Sequence, residues 1–249
     1  MKWLIETEVF NNDTRLPEAL TRLGVEFEQV KFGKPYNDYL QIGDDVVVHG
    51  GSQLVSWAAK NTRWRVYGNS RKYNCTFYYP KFREHLLNSQ YRLIPIGDAE
   101  RFLKQIFINS TRQVFVKSND FKYLKGQMVS QDEFLAELKL LRLRVDHDEL
   151  LLFSPVNLDI KAEWRLVING TEVVAGCQYK PEREEGIPTE VEVYAKNVLK
   201  DVNYNPDKVW IMDICKTHVL NVLEVGPFSC CGLYDCNLDD VVKFVNRQH

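Results

Sequence analysis

Residues 163–176 read EWRLVINGTEVVAG. Asn169-Gly170 is the strongest short hairpin signal, because the favoured tight turn needs positive φ at its centre and these two residues tolerate it. Trp164 to Ile168 and Glu172 to Gln178 are therefore read as two antiparallel strands. Glu163 and Arg165 are two apart, so both point to one face of that hairpin. On an exposed surface such a pair contributes at most about 1 kcal/mol. On a sheet floor facing phosphates, the same groups bind ribose hydroxyls and phosphate oxygens.

Two apolar strands follow, Lys208 to Ile214 and Leu220 to Val225. Each carries one acid amid hydrophobic neighbours, Asp213 in VWIMDI and Glu224 in LNVLEV. An ionised carboxylate in a mostly buried strand needs a cation. Two of them on neighbouring strands are the hard oxygen ligands that Mg²⁺ takes when it also binds phosphates. The competing reading is outward alternation along an edge strand. Pro227-Phe228 marks a sharp exit.

Upstream, Val114 to Lys117 reads as a strand ending in a lysine, followed by the polar Ser118-Asn119-Asp120 and by Phe121 to Gly126. Lys117 and Lys125 are point charges for phosphate, and Gly126 lets backbone N–H groups approach one. For any single lysine a solvated side chain is the commoner outcome. Ser130 with Glu133 forms a capping box before a helix whose Phe134, Leu138 and Leu141 share a face. Leu150 to Phe153 is a strand, Thr189 to Lys200 a helix, and Leu238 to Val245 a closing helix. Lys81 to Leu87 and Ala99 to Ile106 also read as helical, with a looser passage from Gly68 to Pro80.

The first third alternates strands (Trp3 to Ile5, Val25 to Val30, Asp45 to His49) with helices (Leu16 to Leu23, Ser52 to Lys60), which predicts a small parallel lobe. Pro17 suits a first turn, and Ser52 is a candidate cap. Gly50-Gly51 could cradle phosphate at the helix start, but no GxGxxG or GxxxxGK[ST] is present, so a tight strand-to-helix turn is the better reading.

Composition excludes several classes. Of 249 residues 45% are hydrophobic, 27% charged and 12% aromatic, which argues against disorder. Lys plus Arg total 32 against 34 Asp plus Glu, and the net charge of −2 gives no generic pull toward nucleic acid or anionic membrane. The longest uncharged stretch, Val46 to Ala59, is too short and too polar to span a bilayer. MKWLIETEVF lacks the apolar core of a signal peptide, so a cytoplasmic location is expected. Six cysteines without CxxC framing predict reduced thiols rather than a disulfide scaffold or zinc site. The sequons at Asn12, Asn74, Asn109 and Asn169 are read as chance.

The ordered set FVKS, KYLKG, EWRLVINGTEVVAG, VWIMDI and VLEVGPFSCCGLY resembles the ATP-grasp superfamily, and within it the R2K clade of bacterial and bacteriophage ligase-like proteins. The similarity covers roughly residues 91–245. It implies an α+β ATP-grasp fold, two α+β lobes clasping ATP, preceded by a small α/β pre-ATP-grasp domain. The expected division is 1–90 for the latter with its connecting segment and 91–249 for the ATP-grasp domain. Within that domain, about 91–155 is the nucleotide-clasping lobe and about 156–249 the metal-binding lobe. By this resemblance Lys117 holds the α- and β-phosphates of ATP, and Lys125 and Gly126 lie on the phosphate-covering loop. Phe153, Ser154, Pro155 and Val156 form the hinge that reads adenine. Glu163 is similar to the ribose or hinge-side acid, Arg165 to the arginine facing the transferred phosphate or the substrate, and Lys180 to a second substrate- or phosphate-facing cation. Asp213 and Glu224 bind Mg²⁺.

One departure stands out. The family's last motif places an asparagine where this chain has Gly226, leaving the metal shell one ligand short. The activity implied is ATP-dependent carboxylate–amine ligation through an acyl phosphate, on a peptide, amino acid or modified nucleotide, in the host cytoplasm if phage-encoded. Gly226 supports an alternative, an ATP-binding pseudoenzyme that senses nucleotide or docks a partner. Lysine adenylation in the manner of nucleic-acid ligases is disfavoured, since neither KSND at Lys117 nor KGQM at Lys125 is KxDG-like.

Overall fold

The computed structural model describes residues 1–11, 13–31, 33–68, 70–107, 113–120, 123–155 and 159–248. They form two compact units, Met1–Ser70 with Ile160–His249, and Arg71–Asp159.

The first unit opens with β1 (Lys2–Ile5), α1 (Arg15–Arg22), β2 (Phe27–Gln29), β3 (Val46–His49) and α2 (Ser52–Asn61). The three strands make a parallel sheet in the order β2-β1-β3. Period-two alternation divides their side chains between two cores. Trp3, Ile5 and Val47 pack with Leu16, Ala19 and Leu20 of α1, and Leu4, Val46 and Val48 with Leu54, Val55 and Ala58 of α2. Burial on both faces is why Trp3–Ile5 of β1 and Val46–Val48 of β3 read as unbroken apolar runs, whereas the edge strand β2 does not. The cap of α2 is Gly51, and Ser52 is its first helical residue. An acid has taken the place of a serine cap: Gly51 N–H donates to Glu6 Oε2 at 2.8 Å. A Cβ on Gly50 would lie 2.7 Å from Glu6 Cβ. The glycine pair thus makes room for Glu6, as a tight turn rather than a phosphate cradle.

The second unit holds α3 (Cys75–Phe82), β4 (Arg92–Pro95), α4 (Leu103–Phe107), β5 (Val114–Ser118), β6 (Gln127–Val129), α5 (Gln131–Arg142) and β7 (Leu150–Ser154). Its strands form an antiparallel sheet, β4-β7-β5-β6. The capping box is formed, with Glu133 N–H donating to Ser130 Oγ and Ser130 N–H to Glu133 Oε2. Two expectations change here. The helix lies at Cys75–Phe82, where a loose passage was expected, and residues 83–85 form only a short 3₁₀ turn. Burial of Tyr78, Tyr79 and Phe82 outweighs the helix-breaking signal of Pro80. The short strand Arg92–Pro95 pairs with β7, a contact distant in sequence that no local pattern announces.

Returning to the first unit, β8 (Ala162–Asn169), β9 (Glu172–Lys180), β10 (Glu184–Glu185), α6 (Thr189–Val202), β11 (Trp210–Lys216), β12 (Leu220–Pro227) and α7 (Leu238–Asn246) complete the chain. The sheet order is β10-β9-β8-β11-β12. The hairpin forms with Gly170 at φ +56°, while Asn169 stays paired with Glu172 and donates its amide to Lys208 O. Val241, Val242 and Val245 of α7 join Val167 and Ile211 of the sheet and Trp3 and Ile5 of β1 in one core. Around Ser229 the two sheets are stitched by backbone: Gly50 N–H donates to Ser229 O, and Ser229 N–H to Tyr67 O. No described helix is long and apolar enough to cross a membrane.

His49 is buried beside Phe10 and Phe228, and its Nε2 has no hydrogen-bond partner among the described residues. Burial pushes its pKa down from 6.5 to about 4. Between these values the unfolded chain binds a proton that the folded chain refuses, so stability falls as pH drops. The loss from this residue should reach roughly 3 kcal/mol near pH 4. Urea melts across that range should show it, and a His49→Phe variant should lack that share.

Candidate active site

Lys117 of β5 and Ser154 of β7 lie on one face of the second unit's sheet, Phe153 points into the core on the other, and Gly126 immediately precedes β6. β5 is central, with Val116 opposite Phe153 of β7 on one side and Gln127 of β6 on the other. Lys117 is buried, and its Nζ donates to Tyr78 Oη at 3.4 Å. Ser154 Oγ donates to Gln90 O at 2.6 Å. Phe153 is buried in the unit's core, Pro155 is exposed, and Val156 lies outside the described residues, as do Phe121 and Lys122. Lys125 is exposed. A Cβ at Gly126 would sit 2.6 Å from Phe115 Cζ, so close packing on that ring alone requires a glycine.

The other candidates cluster in the first unit. In register, Arg165 of β8 faces Asp213 of β11, and Asp213 faces Glu224 of β12, so three charged residues stand in one row across three strands. Along β8 the same face passes from Val167, in the core, to Arg165 and then Glu163. Arg165 grips Asp213 with two hydrogen bonds, Nε to Oδ1 at 2.9 Å and Nη2 to Oδ2 at 2.7 Å, and its Nη1 donates to Gly232 O at 2.6 Å. Glu163 is buried and receives Lys180 Nζ at 3.0 Å, while the lysine side chain is 62% exposed.

Burial raises the pKa of Asp213 above the usual carboxylate value, Arg165 opposes that shift, and Glu224 and Glu163 reinforce it. The Arg165 guanidinium is held well above its ordinary value, its charge kept by Asp213 against the cost of burial. Two further side chains belong to the site that sequence reading missed. Tyr179 and Tyr234 stack at 4.8 Å with an interplanar angle of 11°, and the Arg165 guanidinium lies 4.7 Å from the Tyr234 ring and 5.6 Å from that of Tyr179. Nothing in the local sequence signals this pairing, since Tyr234 sits in an irregular segment with φ +46°.

The donors fit Mg²⁺ chemically. Asp213 and Glu224 are carboxylates directly opposite one another, which suits a hard divalent ion. The arginine engages both Asp213 oxygens and Tyr179 Oη also reaches Oδ2, so Oδ1 is the oxygen that retains a lone pair for an ion. Among the described residues no group of three or more acids, histidines or cysteines is placed to hold a metal, so phosphate and water oxygens would have to complete the shell. The cysteines are all free thiols; Cys236 and Cys177 lie 3.2 Å apart, sulfur to sulfur.

The family model of the ATP-grasp domain, R2K clade family 2, matches residues 98–244, and the chain belongs to that family. Solved structures share its fold. D-cycloserine synthetase DcsG is 12% identical, with 98% of each chain covered and a TM-score of 0.63. D-alanine–D-alanine ligase from Bacillus anthracis complexed with ATP is 12% identical, covering 92% of this chain and 86% of that one, TM-score 0.58. The ATP-grasp ligase PsnB complexed with minimal precursor, Mg and ADP is 14% identical, covering 99% and 97%, TM-score 0.54. Among curated proteins none matches in sequence.

Removing one partner of a buried pair leaves an uncompensated charge. Asp213→Asn should therefore cost about 3–5 kcal/mol, while the double replacement Arg165→Met with Asp213→Leu should recover most of it. Denaturant melts of the two variants check this.

Proposed function

We propose that this protein is an ATP-dependent ligase that joins a carboxylate to an amine through an acyl phosphate. The observation that carries the reading is the cross-strand pair Asp213 and Glu224 beside Glu163, in a chain of the ATP-grasp family. Residues 1–90 are read as its pre-ATP-grasp domain and 91–249 as its ATP-grasp domain. Lys117 holds the α- and β-phosphates, Lys125 and Gly126 cover them, and the strand end at Phe153, Ser154 and Pro155, with Val156, reads adenine. Glu163 receives the ribose. Asp213 and Glu224 would hold Mg²⁺, which when bound neutralises charge on the transferring phosphoryl group. Lys180, mostly exposed, meets the substrate or the moving phosphate. Arg165 faces the same charge, and in the resting protein its guanidinium is committed to Asp213. No covalent nucleophile is needed, because positioning and electrostatics suffice.

This assignment sets the metal dependence. The repulsion between Asp213 and Glu224 is relieved by a divalent ion, so Mg²⁺ with ATP should raise the melting temperature well beyond ATP alone. Lys117→Ala should abolish most of either shift by weakening nucleotide binding. Equal shifts with and without Mg²⁺ would refute the metal assignment.

Gly226 favours a second reading, an ATP-binding protein with little turnover. It stands opposite Ile211, on the same face as Asp213, and a Cβ there meets nothing within 4 Å. Its backbone is not left-handed, so Gly226→Asn should fold. On the ligase reading this variant raises ATP turnover at low Mg²⁺, because an added amide oxygen helps most when the ion is weakly held. Turnover absent from both proteins across a library of carboxylates and amines would favour the binding protein.

A further inference from the structure

The pairing of β8 with β9 slips between Glu163 and Trp164. Glu163 faces Lys180 and Trp164 faces Gln178, so Tyr179 is the extra residue of a β-bulge. A bulge breaks the alternation that would otherwise send consecutive side chains to opposite faces, and it re-aims a side chain beside a site. Here both residues reach the charged face. Lys180 binds Glu163, and Tyr179 Oη donates to Asp213 Oδ2 at 3.4 Å. The Tyr179 ring lies flat on Tyr234, which flanks the Arg165 guanidinium, so the hydroxyl is held at a fixed height above the sheet.

We infer that Tyr179 is a positioning residue. Its bulged hydroxyl donates to Asp213 Oδ2, fixing the orientation of the acid proposed for Mg²⁺ from the side opposite its β12 neighbour. This rests on the nucleotide-and-metal reading above and adds a residue to it. The stack alone would give the ring a packing role; the hydrogen bond to Asp213 is what gives the hydroxyl a separate one. Partners of this kind, which orient a metal ligand, typically change metal affinity by about 10–100-fold when removed.

The test is a thermal-shift titration of Mg²⁺ at fixed ATP on the full chain. Tyr179→Phe keeps the stack and deletes the hydroxyl. Its unliganded melting temperature should fall by no more than about 4 °C, while the Mg²⁺ concentration giving half the metal-dependent shift should rise about tenfold. Placing p-aminophenylalanine at position 179 restores a donor on the same ring and should bring the half-point back toward wild type. Tyr194→Phe, a hydroxyl removed from α6, should leave it unchanged. An unchanged half-point in Tyr179→Phe overturns the inference. So does the same rise in Tyr194→Phe, a failure of the amino ring to restore binding, or a Tyr179→Phe chain that does not fold, which would assign the residue to the core. A wild-type protein with no Mg²⁺-dependent shift refutes the nucleotide-and-metal reading itself and removes this inference with it.

Discussion

The buried pair of Arg165 and Asp213 constrains everything around it. Taking both charges from water carries an idealised cost of order 20 kcal/mol per ion, several kcal/mol each after relaxation, and attraction offsets it only when geometry is good and leftover donors are satisfied. The geometry is good, and three of the guanidinium's five N–H groups are hydrogen-bonded. The guanidinium makes a two-point contact with the carboxylate, its remaining Nη1 reaches Gly232 O, and two aromatic faces cover it. Each partner comes from a different element, so β8, β11 and the segment holding Gly232 and Tyr234 must all be in register for the charge to be tolerated. A sheet slipped by one residue would put Asp213 on the opposite face and leave Arg165 buried alone.

That demand on register is met largely by the apolar core beneath. Val167 and Ile211 continue the same face into a cluster with Val241 and Val245 of α7 and with Trp3 and Ile5 of β1. The amino-terminal strands and the carboxy-terminal helix thus support the sheet that carries the acids. The backbone bonds at Ser229 bind the exit of β12 to the end of β3, so Glu224 is anchored from a second direction.

The parts legible in sequence were those with local causes. The Asn-Gly turn, the Ser130–Glu133 box, the apolar frames around Asp213 and Glu224, and the two-apart spacing of Glu163 and Arg165 all depend on neighbours within a few residues. Each corresponds to an element or contact of the structure. What was hidden depends on partners far away. α3 is a helix because Tyr78, Tyr79 and Phe82 find a core, and Cys75–Phe82 taken alone carries a proline. The acid at the start of α2 arrives from Glu6, a residue no capping pattern at Ser52 points to. The stacking of Tyr234 on Tyr179 joins an irregular loop to a strand, and neither sequence neighbourhood contains the other.

The bulges explain why even a correct strand assignment left the site incomplete. Strict alternation lets a reader place Glu163 and Arg165 on one face, but it assigns Tyr179 and Lys180 to opposite faces, and the shift at Glu163/Trp164 brings both to the same one. A second shift between Asp213 and Ile214 leaves Leu223 as the extra residue of β12, immediately before Glu224. These two irregularities adjoin acids, whereas a further shift between Val167 and Ile168 lies toward the hairpin turn. A regular ladder would fix these carboxylates at pleat spacing. A bulge adds local twist and bend, so the distance among Glu163, Asp213 and Glu224 is set by where the ladder breaks as much as by where it holds.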